Sequence, residues 1–303
     1  MTQNDKNVIE KTEALKSLIM RILPEPRVLQ TQVCGLTLAR LHEPTNPRCS
    51  IYNPLVLLIL QGEKHSILGT KDITYGAGEY MVTNMSVPSS CHVSKASESE
   101  PYLALFVPLD AEIIAGLLRD IRPAKSSGAV HCALNTARAD ETLLDAFLRL
   151  TALVEKSAEE QKILAPAILR EIHYRLLTGP FGNYMMTINT VGSKDNLILK
   201  AIEKIKADFD KKINIEELSK EFGMTASTFY RNFMKVSTMS PIQYQKQIRL
   251  NEAQRLMLAK KFDAQKAAYA VGYESVTQFN KEYKRRFGLP PLCDIRKLRG
   301  AAG

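Results

Sequence analysis

Paired cysteines are missing from this chain. Its five cysteines, Cys34, Cys49, Cys91, Cys132 and Cys293, are odd in number, widely spaced and form no CxxC. That argues against a disulfide framework and fits a reducing compartment, with most of the thiols expected as small buried hydrophobes. Histidine is equally sparse: His42, His65, His92, His131 and His173 make no HxH pair and no HxxxH on a helix, so no metal and no catalytic residue is assigned. Long apolar runs are lacking too, since the longest, Leu55 to Leu60, is far short of the roughly 20 residues that a membrane helix needs. The opening segment is polar, and its Leu15, Leu18, Ile19, Ile22 and Leu23 follow helical spacing rather than a signal-peptide pattern. A soluble, cytoplasmic protein without a cofactor is the expectation, and 303 residues with 45% hydrophobic content allow two domains of usual size.

What is present begins with short apolar runs broken by turn formers. Val28 to Leu38, Leu55 to Leu60, Lys64 to Leu68, Glu79 to Thr83 and Tyr102 to Val107 read as strands, with Gly62, Gly69, Gly76, Gly78 and Pro88 as turns, a pattern that suggests a small barrel or jelly roll. From Ala111 the period turns helical, over Ala111 to Arg119, Glu141 to Glu155 and Gln161 to Leu177. In the last of these Leu164, Ile168, Ile172 and Leu176 form a narrow apolar stripe, which suits either packing on its own barrel or a homodimer contact. Residues 178 to 195 are rich in turn formers and have no sustained period, so a domain boundary is placed there, between an N-terminal domain at 1–180 and a C-terminal domain at 195–303.

The C-terminal domain carries one unit twice. Ile215 to Met224 leads into Thr225 to Lys235, and Ala264 to Val271 leads through Gly272-Tyr273-Glu274 into Ser275 to Phe287. Phe229 and Phe233 answer to Phe279 and Tyr283, and Gly223 and Gly272 stand just before each basic helix. Ser240-Pro241 opens a helix from Ile242 to Leu258 between the two. The predicted fold is therefore α+β: a cupin-like β-barrel with following helices, then an all-α domain with two helix-turn-helix units. Charge coincides with the repeat. From residue 194 onward 22 Lys and Arg stand against 12 Asp and Glu, a balance of +10, and the remaining 193 residues hold 19 against 20, or −1. Duplex DNA carries a phosphate charge about every 1.7 Å, and a basic segment gains affinity by releasing its counterions.

A pair of aromatics four residues apart must face the core of a helix-turn-helix, which turns the others outward. Ser227, Thr228, Tyr230, Arg231 and Lys235 are then outward on the first recognition helix, and Val276, Thr277, Gln278, Lys281 and Arg285 on the second. Arg can pair with guanine, Gln with adenine, and a Val or Thr methyl with thymine, each good bidentate pair contributing roughly 1–3 kcal/mol of discrimination. Thr228, Lys235, Lys284, Arg285 and Arg286 are assigned to the DNA backbone.

These offsets resemble the AraC/XylS family of bacterial transcription regulators. The likeness rests on Ile215 to Glu221 with Phe222-Gly223-Met224, on Phe229-Tyr230-Arg231-Asn232-Phe233, on Met239-Ser240-Pro241-Ile242-Gln243-Tyr244 with Arg249 and Ala253, and on Ala270-Val271-Gly272-Tyr273-Glu274-Ser275, Phe279 and Phe287-Gly288. It implies two recognition helices entering adjacent major-groove segments about 34 Å apart. It puts base contacts on Ser227, Tyr230, Arg231, Val276, Thr277, Gln278 and Lys281. Two departures stand out: Thr238 where the family usually has Gly, and Pro290-Pro291 where it usually has Ser before Pro. A β-branched residue disfavours positive φ, so Thr238 puts the end of that helix in question. Val56 to Lys64 and Gly76-Ala77-Gly78-Glu79-Tyr80 resemble the family's cupin-like sensor.

The resemblance implies a regulator, read here as an activator, with double-stranded DNA and RNA polymerase as partners and an effector in the N-terminal domain. An unidentified small organic molecule is the favoured effector. Cys49 after Arg48 and Cys91 before His92 are an alternative redox or electrophile site. A cupin-type enzyme fused to a DNA-binding module and a low-specificity architectural DNA binder remain as other readings.

Overall fold

The structure is a computed structural model, and it describes residues 2–121 and 133–300; His131 and Cys132 lie outside the described residues. The N-terminal half runs α1 (Gln3–Ile22), β1 (Arg27–Gln30), β2 (Thr37–Leu41), β3 (Arg48–Tyr52), β4 (Leu55–Gln61), β5 (Glu63–Leu68), β6 (Lys71–Gly76), β7 (Glu79–Thr83), β8 (Val87–Lys95), β9 (Tyr102–Pro108), α2 (Ala111–Leu117), β10 (Leu134–Arg138), α3 (Glu141–Ala152) and α4 (Ala158–Thr178). The C-terminal part is helical: α5 (Gly182–Asn189), α6 (Lys194–Ala207), α7 (Ile215–Glu221), α8 (Ala226–Ser237), α9 (Pro241–Ala259), α10 (Ala264–Ala270), α11 (Val276–Phe287) and α12 (Pro291–Gly300).

Among the described residues ten strands form two antiparallel sheets, ordered β1-β2-β9-β4-β7-β10 and β3-β8-β5-β6. The apolar run of β4 follows from where it lies: both faces of its sheet are covered, so consecutive side chains are all buried instead of alternating with polar ones. One face, with Leu38, Val56, Leu58, Leu103 and Leu105, packs on Leu15 and Ile19 of α1 and on α3 and α4. The other, with Ala39, Leu57, Ile59 and Ala104, faces Tyr52, Leu68, Tyr75 and Val87 of the second sheet. The layers run helices, first sheet, second sheet, and then the C-terminal helices on the second sheet's outer side.

Several expectations need correction. The run from Val28 to Leu38 is two strands, because Gly35 at φ 76 turns the chain between β1 and β2. Strands β3, β6, β8 and β10 were not expected; β8, Val-Pro-Ser-Ser-Cys-His-Val-Ser-Lys, is largely polar, and cross-strand pairing rather than hydrophobicity makes it a strand. Within residues 178 to 195 stands α5, with Tyr184, Met185, Met186 and Ile188 buried. Eight residues are too few to show a period among so many turn formers. A Cβ at Gly182 would come within 1.8 Å of the Leu177 carbonyl oxygen, so the tight entry into α5 requires glycine.

The Leu164, Ile168, Ile172 and Leu176 stripe is not available as a homodimer contact. Ile168 is 9%, Ile172 0% and Leu176 1% exposed, all inside the N-terminal core, and only Leu164 at 44% faces outward. The outward face of α4 is mixed, with Ile163 at 63% and Tyr174 at 45% exposed beside Lys162 and Arg170.

Candidate nucleic-acid interface and interior cavity

Each repeat folds as a helix-turn-helix for local reasons. Asn214 caps α7 by accepting from the Glu216 and Glu217 amides, and Thr225 caps α8 by accepting from the Thr228 amide. Gly223 supplies the positive φ of 65 that the turn needs. In the second unit Asp263 caps α10 and Ser275 caps α11. Gly272 sits at φ 85, where a Cβ would come within 2.0 Å of the Asp210 carbonyl oxygen.

The aromatics do what their spacing demanded. Phe229, Phe233, Phe279 and Tyr283 are fully buried, the pairs 5.7 Å and 5.5 Å apart between ring centroids. Ser227, Tyr230, Arg231 and Lys235 are exposed on α8, with Thr228 half-buried; Thr277, Gln278, Lys281, Lys284 and Arg285 are exposed on α11, with Val276 half-buried. Among the described residues no ion pair engages Arg231, Lys235, Lys281, Lys284 or Arg285.

Two residues with no role assigned from sequence hold these helices. Arg249 of α9 donates to the carbonyl oxygens of Phe209 (2.6 Å), Gly272 (2.7 Å), Asp210 (3.0 Å) and Lys211 (2.9 Å), joining the end of α6 to the second turn. Glu282 of α11 is buried and accepts from Lys246 Nζ (2.8 Å), Tyr273 Oη (2.7 Å) and Gln278 Nε2 (3.2 Å). Burial works to raise its carboxyl, but the hydrogen bonds from Lys246, Tyr273 and Gln278 prevail and hold it below the usual range.

Arg286 departs from its expected phosphate role. It is turned onto the second sheet, where its Nη2 donates to the Ser89 carbonyl oxygen at 3.0 Å. Its own carbonyl accepts from Cys49 Sγ at 3.3 Å. The helical period places it at the helix end; only the docked sheet covers it, leaving it half-buried. The same contact bears on Cys49. Burial raises its thiol above the ordinary value, with Arg286 working the other way, so Cys49 stands as a hydrogen-bond donor rather than a thiolate. Further bonds join the halves: Tyr244 Oη to the Ser86 carbonyl (2.8 Å), Lys206 Nζ to Ser86 Oγ (2.7 Å), the Ala133 amide to the Val236 carbonyl (3.1 Å) and Thr238 Oγ1 to the Leu68 carbonyl (3.0 Å).

Between the two sheets lies a cavity of about 1030 Å³, lined by Leu41, Leu57, Lys64, Cys91, Tyr102 and Phe106 among others. Strand alternation sets the wall: Arg48 pairs with Cys91 toward the cavity, whereas Cys49 pairs with Ser90 toward the C-terminal helices. Cys91 is half-buried, and Cys34 and Cys293 are exposed, so among the described residues the thiols are not the buried hydrophobes expected. Lys64 Nζ lies 5.2 Å from the Tyr52 ring centroid, and burial pushes its ammonium below the usual lysine range, with Cys91 working the other way. His173 is buried, accepting from the Asp110 amide at 2.9 Å and bonded to the Leu169 carbonyl. His65 pairs with Asp72 and meets His92 edge-on. Among the described residues no three His, Cys, Asp or Glu gather as a metal set, and no helix is long and apolar enough to cross a membrane.

These features define a class: a β-sandwich enclosing a cavity, docked on a tandem helix-turn-helix unit. The profile of the AraC-type transcriptional regulator N-terminus family matches residues 32–184, half of the chain, and that of a helix-turn-helix domain matches residues 218–296. The chain belongs to the AraC-type transcriptional regulator family. It is 33% identical over 104 residues to the uncharacterized HTH-type transcriptional regulator YdiP of Escherichia coli, a match covering 34% of this chain and about a third (34%) of that relative's length. It is 23% identical over 205 residues to the virulence regulon transcriptional activator VirF of Yersinia enterocolitica, covering 65% of this chain and 73% of VirF. Its fold is similar to that of unsaturated fatty acid bound ToxT from Vibrio cholerae, with a TM-score of 0.55 at 12% identity over 88% of this chain and 95% of ToxT.

Proposed function

We propose that the protein is a sequence-specific DNA-binding transcription regulator, with a sensor domain at 1–180 and a DNA-binding domain at 195–303. The observation that carries this reading is the exposure of Arg231 and Lys281, without an ion pair among the described residues, on two helices anchored from behind by buried aromatics. In this reading Ser227, Tyr230 and Arg231 read bases from α8, and Val276, Thr277, Gln278 and Lys281 read them from α11. Thr228, Lys235, Lys284 and Arg285 hold phosphates. The cavity between the sheets takes a small organic effector, as its volume and apolar wall suit. The protein acts as an activator beside RNA polymerase in the cytoplasm, and has no catalytic role.

Binding to its own upstream intergenic DNA is compared with random duplex of equal length at two salt concentrations, with Arg231→Ala alongside. A specific ratio of about a thousand or more that collapses in the variant is the expected result. Equal, strongly salt-dependent binding to both duplexes overturns the reading in favour of an electrostatic DNA binder.

A further inference from the structure

Gln278 is exposed on α11, yet its amide is not free to turn. Its Nε2 donates to Glu282 Oε1 at 3.2 Å, one helical turn further on. The nitrogen and oxygen of an amide are alike in shape, so hydrogen-bond chemistry decides which lies where. Glu282 is held as a carboxylate, which only accepts, so the group of Gln278 that faces it has to be the NH2. The reversed amide would set one acceptor oxygen against another. Glu282 is itself fixed from two other elements: Lys246 Nζ of α9 donates to the same Oε1 at 2.8 Å, and Tyr273 Oη, from the turn before α11, donates to Oε2 at 2.7 Å. At 9% exposure, a carboxylate with three donors from three places keeps its position.

A glutamine free to rotate offers a base edge either its oxygen or its NH2, and so tolerates both amino and keto groups. A locked one offers a single arrangement. We propose that Glu282 is a positioning residue for base readout: by holding the Gln278 NH2 it commits Gln278 Oε1 to accept, so that α11 selects a base with an exocyclic amino group in the major groove and rejects one with a keto group. Adenine N6 and cytosine N4 donate there, whereas guanine O6 and thymine O4 accept and would meet Oε1 as like against like. Adenine is the better fit of the two, because its N7 takes the second hydrogen of Nε2. Lys246 and Tyr273 act through Glu282, which ties the reading edge of α11 to α9 and to the turn of the second unit. The proposal rests on the reading of α11 as a base-reading helix.

The test selects duplexes randomised across the bound site with the full chain and reads the base preference at every position by sequencing. The wild type is expected to favour adenine, then cytosine, over guanine and thymine at one position by about 10-fold or more. Glu282→Gln keeps the shape but can donate as well as accept, and is expected to bring amino and keto bases at that position within about 3-fold while the other positions keep their preferences. Glu282→Ala serves as a second variant with the same expected result. Gln278→Ala, at an exposed position, abolishes the preference there, and the double variant matches it because Glu282 acts through Gln278. A purely structural Glu282 would instead weaken binding to all sequences alike. Three results overturn the proposal: specific binding in which no position separates amino from keto bases, a preference that survives Gln278→Ala, or Glu282 variants that lose affinity uniformly with every preference unchanged. A wild type that binds all duplexes equally overturns the regulator reading itself, and this proposal with it.

Discussion

Thr238 donates its Oγ1 to the carbonyl oxygen of Leu68 at 3.0 Å while its own backbone sits at φ 64. A β-branched residue in the left-handed region is strained by roughly 1–2 kcal/mol, and a bond from the end of α8 to the β5–β6 turn is what opposes that strain. Replacing Thr238 by Ala keeps the strain and deletes the bond, and is expected to destabilise by about 1 kcal/mol. Replacing it by Gly removes both and is expected to be nearly neutral. Urea unfolding of the two variants checks the difference, and a Gly variant as unstable as the Ala variant would sink this account.

The other side of that contact is Gly69, at φ 56, where a Cβ would stand 2.5 Å from both the Thr238 carbonyl oxygen and Oγ1. Gly78 has a comparable φ of 80 and nothing within 4 Å. Gly78→Ala therefore carries only the backbone penalty of about 1 kcal/mol, whereas Gly69→Ala must also push the first recognition helix off the sheet. Limited proteolysis between the two halves is expected to accelerate in the Gly69 variant and not in the Gly78 variant.

Arg286 and Lys281 lie on one helix and have different fates. Lys281 is exposed, and Arg286 is bound to the Ser89 carbonyl. Lys281→Ala is expected to weaken DNA binding and alter base preference. Arg286→Ala is expected to leave the salt dependence of binding unchanged, whereas loss of a phosphate contact lowers the slope by about 1. Titrations over a range of salt concentrations with both variants distinguish these outcomes.

Glu282 fixes a pH window. Burial opposes its ionisation, but donors from Lys246, Tyr273 and Gln278 hold its folded value below the unfolded one. For a depressed carboxyl the stability contribution is fully present above the unfolded value, near 4.3, and is lost as pH falls through the folded value. The stability difference between the wild type and Glu282→Gln is expected to be constant above about pH 5 and to shrink below pH 4. A difference that stays flat across acid pH would remove the charge from the explanation.

Legibility followed the range of the physics. Phe229, Phe233, Phe279 and Tyr283 face inward because a helix repeats every 3.6 residues, and Gly223 and Gly272 mark turns because only glycine takes positive φ freely. Both are local facts and could be read in advance, as could β4, β5, β7 and β9. Strand β8 could not, since its polar residues become a strand only through β3 and β5. Thr238 stands out in the sequence where glycine is usual, but its partner, Leu68, lies 170 residues away in the chain.

By itself the amino-acid sequence determined two helix-turn-helix units, the side of each that faces outward, and a β-rich N-terminal half, because period, capping and turn chemistry act over a few residues. The tertiary structure alone decided that Arg286 is held by the sheet, that the α4 stripe is spent inside its own core, and that Lys64 faces a cavity. Those outcomes depend on strand register and on the docking of one half on the other. A register shift of one residue exchanges the two faces of a strand, and no local pattern records which surface will cover it.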